Sequence, residues 1–309
     1  MSMTRRAFLA TAVSGAASVL ASTAYGFGFG PMLAPRVARY RVAPRDWPNG
    51  FSLEIAALSD LHACDPFMSI ERIEGIVERM NALRPDVIVL LGDYVAGIRR
   101  RLATPIPSAD WARALSRLSA PLGVHAILGN HDVWDDLVVQ RDGGGTTHSR
   151  RALEANGVPV YENEVARLRS GDRSFWLAGL ADQHAIPVGR LRWRGFDDLP
   201  KTLAAVTTDD PVILLAHEPD IFAKVPNRVA LTLSGHTHGG QVRLMGWSPY
   251  IPSRFGNRYA YGHIIENEKH LIVSGGLGCT MLPFRFGVPP EILHIRVEAP
   301  GVTRSLSGP

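Results

Sequence analysis

Five times along this chain a short apolar run of β-strand character breaks off at a cluster of carboxylates, amides and imidazoles. Residues 53–58 run into Ser59-Asp60-Leu61-His62, residues 86–91 into Gly92-Asp93-Tyr94, and residues 123–128 into Gly129-Asn130-His131-Asp132. Further on, residues 212–216 lead to His217-Glu218-Pro219-Asp220 and residues 229–233 to Ser234-Gly235-His236-Thr237-His238-Gly239-Gly240-Gln241. The run Val87-Ile88-Val89-Leu90-Leu91 carries no polar alternation, which is the pattern of a strand covered on both faces. Sheets of such strands need further layers above and below them. Their ends are where loops converge on a site while the scaffold stays rigid.

The segments between these runs have helical character. Ser69 is placed to cap a helix whose apolar residues Ile70, Ile73, Ile76, Val77 and Met80 keep helical spacing, and residues 81–85 end it. A second helix is expected around residues 109–118. The alternation predicts a layered α/β architecture on mixed sheets. At 309 residues the chain suffices for one large catalytic domain, and no internal repeat divides it.

Composition narrows the function classes. Apolar residues make up 46% and charged residues 20%, which excludes a disordered or wholly membrane-embedded chain. The formal net charge of +4 includes Arg5 and Arg6, so the body is only mildly basic. No dense Lys/Arg run with interleaved aromatics suggests nucleic acid, and none is expected as a partner. Cys64 and Cys279 are too few for a disulfide scaffold and lack the spacing of a thiolate zinc site. They read as two small buried residues or, in an oxidising compartment, as one bridge.

At the N-terminus, Thr4-Arg5-Arg6-Ala7-Phe8-Leu9 sets paired arginines before an apolar run that reaches Ala21, short of the ~20 strongly apolar residues of a spanning helix. It resembles a twin-arginine export signal, which implies the export machinery as a partner and a location in the periplasm or on the outer face of the cytoplasmic membrane. Ser22-Thr23-Ala24 offers small residues for cleavage without a clean Ala-x-Ala, so cleavage and anchoring both stay open. The expected division is a signal segment over 1–24, a Gly/Pro-punctuated linker over 25–36, the catalytic domain over 37–300 and a flexible tail over 301–309.

Taken together and in order, Asp60-Leu61-His62, Gly92-Asp93, Gly129-Asn130-His131-Asp132, His217 and Gly235-His236-Thr237-His238 resemble the five blocks of the calcineurin-like metallophosphoesterase family. The resemblance implies a four-layer αββα sandwich of two mixed β-sheets flanked by helices. It also implies a hydrolase of phosphate esters that uses two divalent transition-metal ions. By position, Asp60, His62 and His238 would bind one ion, and Asn130, His217 and His236 the other. Asp93 would touch both, and attack would come in line from a hydroxide bridging them. His131 would be the general acid, with Asp132 orienting its ring, and Asn130 and His131 would also face the substrate.

The residue chemistry agrees with this. Imidazole with carboxylate suits manganese, iron, zinc or cobalt, and seven candidate ligands exceed the needs of one tetrahedral ion. Arg285, within Pro283-Phe284-Arg285-Phe286-Gly287, resembles a segment of membrane-linked members of the family and is a candidate substrate-phosphate contact or, equally, a salt-bridged surface residue. His125, His148, His184, His263, His270 and His294 read as packing or solvent-facing residues. Asp182 reads as a turn residue or an acceptor behind the ligands, and Glu218 and Asp220 as orienting or capping groups.

The expected substrate is a small phosphoester, a diester first. Alternatives are a monoester on the same core or a nucleotide-linked lipid precursor presented at a membrane surface. A non-catalytic binding protein would have lost ligands, and none is missing.

Overall fold

The structure, a computed structural model, describes residues 24–98, 101–190 and 192–301. The expected signal segment therefore lies almost wholly outside the described residues, as does nearly all of the expected tail.

Two sheets form the body. The first holds β1 (Arg36–Val42), β2 (Ser52–Leu58), β3 (Val87–Leu90), β4 (Val124–Ala126) and, from the far end of the chain, a long strand over Glu291–Glu298. That last strand lies between β1 and β2, parallel to β1 and antiparallel to β2, while β2, β3 and β4 run parallel. The second sheet holds β5 (Glu164–Ser170), β6 (Arg173–Gly179), β7 (Val212–Leu215), β8 (Val229–Ser234), β9 (Gly262–Glu266) and β10 (Lys269–Val273). Its spatial order is β9-β10-β8-β7-β6-β5, parallel inside and antiparallel at both edges.

The pleat decides what each strand buries. Leu53, Ile55 and Ala57 of β2 point inward with Val87 and Val89 of β3 and meet Phe175, Leu177, Ile213, Leu215, Leu231 and Leu233 of the second sheet. The alternate residues Ala56, Leu58, Ile88 and Leu90 point outward onto helices Ile70–Ala82, Ser108–Leu115 and His148–Ala155. On the other side, Ala178, Val212, Leu214, Leu271 and Val273 are covered by Leu199, Ile221, Phe222 and Tyr259. Helices on two sheets on helices is the expected four-layer αββα arrangement.

Observed boundaries fall within a few residues of those read from the sequence, and Ser69 accepts from Arg72 N at the start of the first helix. The helix expected to reach residue 118 ends at Leu115. Residues 25–32 form two short helical turns against the body: the Tyr25 ring lies 6.1 Å from Phe286, that of Phe27 lies 4.7 Å from Phe284, and Arg285 N donates to Gly26 O. Cys64 and Cys279 are both buried and free, in one small apolar cluster. Among the described residues no helix is long and apolar enough to cross a membrane.

Candidate metal centre

The polar clusters at the ends of β2, β3, β4, β7 and β8 meet at one edge of the sandwich, two from the second sheet and three from the first. Asp60, His62 and His238 come close enough to share one ion, and so do Asp93, His217 and His236. In the first group, His62 Nε2 lies 3.1 Å from His238 Nε2, and His238 Nε2 lies 3.4 Å from Asp60 Oδ1. In the second, His217 Nε2 lies 3.2 Å from Asp93 Oδ2, and His236 Nδ1 lies 2.8 Å from Asn130 Oδ1. Asp93 links them, because the same Oδ2 is 3.7 Å from His62 Nε2. Its other oxygen is occupied, accepting from His131 N at 2.8 Å. One oxygen of Asp93, rather than one for each side, faces both groups.

Backbone carbonyls fix the histidine protons. His62 Nδ1 donates to Val95 O at 2.8 Å, His217 Nδ1 to Leu91 O at 2.7 Å and His236 Nε2 to Pro252 O at 3.0 Å. A carbonyl only accepts, so the opposite nitrogen of each neutral ring presents a lone pair to the centre. His217 Nε2 is buried without any hydrogen-bond partner. His236 Nδ1 and Asn130 Oδ1 face each other as two acceptors. Such a set of inward lone pairs is repulsive alone and favourable around cations, so the residues fit divalent metal ions. His238 departs from the pattern, with its Nδ1 3.2 Å from Arg285 Nη2.

Electrostatics point the same way. Burial pushes the His62 pKa down to about 3 and holds His236 and His238 well below the ordinary range, so these rings are neutral ligands. At His217 burial also works against charge, but Asp93, Asp60 and Glu218 outweigh it and raise the pKa well above normal. On His217 a proton and a cation therefore compete for Nε2 beside Asp93 Oδ2, and the cluster favours positive charge at that point. Burial, against the pull of His217, lifts Asp60 to about 6.

The backbone is bent to reach this geometry. Asp60, His62, Asp93, His236 and His238 all hold left-handed φ between 49° and 66°, a conformation costing about 1–2 kcal/mol for each non-glycine residue. Glycines make room. A Cβ on Gly235 would stand 1.7 Å from Ser59 Oγ, and one on Gly129 would stand 2.4 Å from Asp93 Oδ1 and 2.7 Å from the His217 ring. The Gly-His and Gly-Asn pairs are thus steric requirements of the site.

The calcineurin-like phosphoesterase profile matches residues 53–240, well over half of the chain. The chain belongs to that family. It is 32% identical to the uncharacterised metallophosphoesterase YkuE of Bacillus subtilis, over 94% of this chain and 96% of that one. It is 27% identical to the phosphodiesterase YaeI of Escherichia coli, over 96% and 99%. The transmembrane protein with metallophosphoesterase domain of Danio rerio is 28% identical over 84% of this chain and 57% of its own length. As a calcineurin-like phosphoesterase, this protein is a phosphoester hydrolase that uses divalent metal ions.

Two expected roles need correction in this phosphoesterase. Asp132 does not orient the His131 ring: Oδ2 accepts from Asp93 N and Gly129 N, and Oδ1 from Tyr94 N and Ser149 Oγ. It ties the two loops together. Burial, with the nearby Asp93 charge, raises its pKa to about 7. The His131 ring has Thr280 Oγ1 3.3 Å from Nε2 instead.

Arg285 is neither at the surface nor in the cavity. It is buried, giving Nε and Nη2 to Gly278 O and Nη1 to Gly275 O and Val288 O. Gly278 packs against Leu61 and His62 and donates its N to Asp60 O, and Gly276, between the two glycines, packs against the Asp60 side chain, so Arg285 supports the ligand loop from behind.

Above the ligands opens a cavity of about 1170 Å³ lined by Asn130, His131, His236, His238 and Gln241. Asp60, His62 and His217 lie beneath its floor. One wall was not foreseen. The hairpin of Ile186–Gly189 and Arg192–Arg194 carries Trp193 over Trp134, ring centroids 6.2 Å apart, and against His184 at 4.6 Å. His184, read from the sequence as a packing or solvent-facing residue, belongs to the cavity and sits with Glu218 and His236 in a further group of metal-ligating types. Asp182 accepts from His184 N at 2.9 Å as a turn residue does, and Asp220 accepts from Ser253 Oγ and Arg254 N. No motif marks the hairpin.

Proposed function

We propose that this protein is an exported, dinuclear-metal phosphodiesterase. The observation that carries the reading is the position of Asp93 Oδ2, 3.2 Å from the inward nitrogen of His217 and 3.7 Å from that of His62. Asp60, His62 and His238 are the residues to hold one ion, Asn130, His217 and His236 the other, and Asp93 both. When bound, two divalent ions, manganese, iron, zinc or cobalt, supply an activated water near neutral pH and offset charge on the phosphoryl oxygens.

The chain's own residues do the rest. Asn130 and His131 face the cavity, and Asp93 fixes the His131 backbone. The His131 ring stands edge-on to His62 at 5.0 Å, above the ligands, where Nε2 can pass a proton to the departing oxygen. Thr280 Oγ1 holds that nitrogen in place.

A diester is favoured over a monoester because the cavity exceeds the usual 300–1,000 Å³ of a small-molecule site, leaving room for a group on each side of the phosphate. Arg254, one of its wall cations, is paired with Asp220 rather than free for a dianion. The name of the Escherichia coli relative agrees. A nucleotide-linked lipid is the second reading, supported by the indole wall, against which a planar base can stack.

The paired arginines of Thr4-Arg5-Arg6 and the apolar run to Ala21 support export by the twin-arginine route to the outer face of the cytoplasmic membrane. The reading keeps a signal over 1–24, a linker over 25–36, a catalytic domain over 37–300 and a tail over 301–309.

The test is a rate comparison on metal-analysed protein with bis(4-nitrophenyl) phosphate, 4-nitrophenyl phosphate and a nucleotide-linked glycolipid, each with manganese, iron, zinc and cobalt. We expect about two ions per chain and at least about tenfold preference for the diester over the monoester. A faster monoester, or one ion at full activity, overturns the reading. Replacing Arg5 and Arg6 together by lysine should leave active protein inside the cell, and normal export would refute the targeting assignment.

A further inference from the structure

Beside the cavity mouth a turn projects into solvent with apolar residues at its tip. Leu244 and Trp247 exchange both backbone hydrogen bonds, 2.8 and 2.9 Å, around Met245 and Gly246, whose φ values are 49° and 83°. Two left-handed central residues define a tight hairpin turn that favours Asn-Gly, and methionine there is held against its preference. Its side chain is nonetheless fully exposed, and Leu244 and Trp247 on the turn, Tyr250 shortly after it, and Met281 and Leu282 on the loop that runs to Phe286 are each 45–64% exposed. Isolated apolar residues on a surface need no explanation, whereas several of them on adjoining loops beside the site cavity mark an interaction site. Tyr250 and Met281 also line the cavity, so the patch and the mouth are continuous.

The chain's own course says what covers it. Arg243 N donates to Phe286 O, which joins the base of the turn to the loop on which Tyr25 and Phe27 pack. The incoming segment, with Phe29 exposed, therefore reaches the body on this same face. The apolar run ending at Ala21 is separated from Tyr25 only by residues 22–24, and those four residue steps span at most about 14 Å. Any bilayer that takes up the run must lie within that distance of this face. Trp247 and Tyr250 are the residue types that settle at headgroup level.

We propose that this face, with the Leu244–Trp247 turn as its anchor, seats on a phospholipid bilayer, so that the cavity opens onto the headgroup layer and draws its phosphoester from there. The inference rests on the reading of the protein as membrane-associated and adds to it an orientation and a source of substrate.

The experiment uses the full chain with Met245→Cys, labelled with a polarity-sensitive thiol dye; both native cysteines are buried, so the turn is the reactive position. The reference is Asp172→Cys, whose side chain is 90% exposed, on the β5–β6 turn at the opposite end of the strands. On adding vesicles of phosphatidylethanolamine with phosphatidylglycerol, the label at 245 should shift to the blue and the label at 172 should not.

A variant carrying both Met245→Glu and Trp247→Glu should hydrolyse phosphodiester lipid in those vesicles about tenfold more slowly, with unchanged rates on bis(4-nitrophenyl) phosphate. Co-sedimentation with a water-like label at 245 overturns the orientation but leaves membrane association standing. Failure to co-sediment overturns both. A blue shift that grows with protein concentration without vesicles assigns the face to a second copy of the chain and overturns the proposal.

Discussion

The floor and the rim of the cavity are built on opposite terms. On the floor every ligand is buried, five of them hold left-handed backbone, and three rings are locked by backbone carbonyls. On the rim, side chains are half-exposed, aromatic or apolar, and carried on a hairpin and turns. The floor's geometry is costly and leaves no slack, as chemistry at a metal pair requires. The rim can vary without unfolding anything. Reaction type is therefore written into the floor and substrate choice into the rim, and substitutions in the two should separate accordingly.

The sharpest break should come at Asp93. Asp93→Asn keeps the shape but removes the charge shared between the two ligand groups, and we expect activity to fall on the order of ten-thousandfold. Elemental analysis should find less bound metal. Full metal content with lost activity would mean that Asp93 does something other than hold ions. His131→Ala should follow, at about a hundred- to thousandfold in kcat with metal content intact. The loss should shrink for 4-nitrophenol, a good leaving group, relative to an alkyl alcohol. An equal loss for both would remove the general-acid role.

The floor was legible in the chain and much of the rim was not, for physical reasons. Each ligand cluster sits within a few residues at a strand end, so local spacing exposes it. Asp132 misled because neighbours in sequence are not neighbours in space. On the Asn130–Trp134 helix successive side chains point about 100° apart, which turns Asp132 away from the ring beside it. Arg285 was misplaced because arginines are normally exposed, and the carbonyls of Gly275 and Gly278 that satisfy it belong to a turn no pattern reveals. Left-handed φ at aspartate and histidine has no signature in composition. The Trp193 hairpin has neither motif nor apolar run to announce it.

Arg285 tests whether the floor depends on what lies behind it. Arg285→Met keeps the volume but strips buried carbonyls of their donor, and it should lower unfolding free energy by about 3 kcal/mol in a denaturant titration. Metal affinity should weaken with it, since the glycine turn braces Asp60. Retained stability would mean that water or another donor replaces the guanidinium. At the rim, Trp193→Ala should raise KM for nucleoside or aryl diesters several-fold and leave kcat and the KM of dimethyl phosphate unchanged. A matching fall in kcat would place Trp193 in the floor's business and blur the division.

The smallest effect should be a pH dependence of stability at a buried carboxylate behind the rim. Asp136 accepts from Val138 N, Val139 N and His148 N and from His148 Nδ1, at 3.1, 3.2, 2.8 and 2.5 Å, joining two short helices beside the cavity. Burial alone would raise its pKa, but these hydrogen bonds prevail and hold it below the ordinary carboxylate value. A depressed folded-state pKa means that ionised Asp136 favours the native state. Its contribution is complete above the unfolded-chain value near ~4 and is lost as pH falls through the folded pKa. Asp136→Asn should therefore be less stable than the parent at pH 7, with the difference closing as acid is added below about pH 4. Urea midpoints across that range would measure it, and hydrolysis of a small diester at pH 7 should stay unchanged. A gap independent of pH would assign the effect to lost packing instead of the charge.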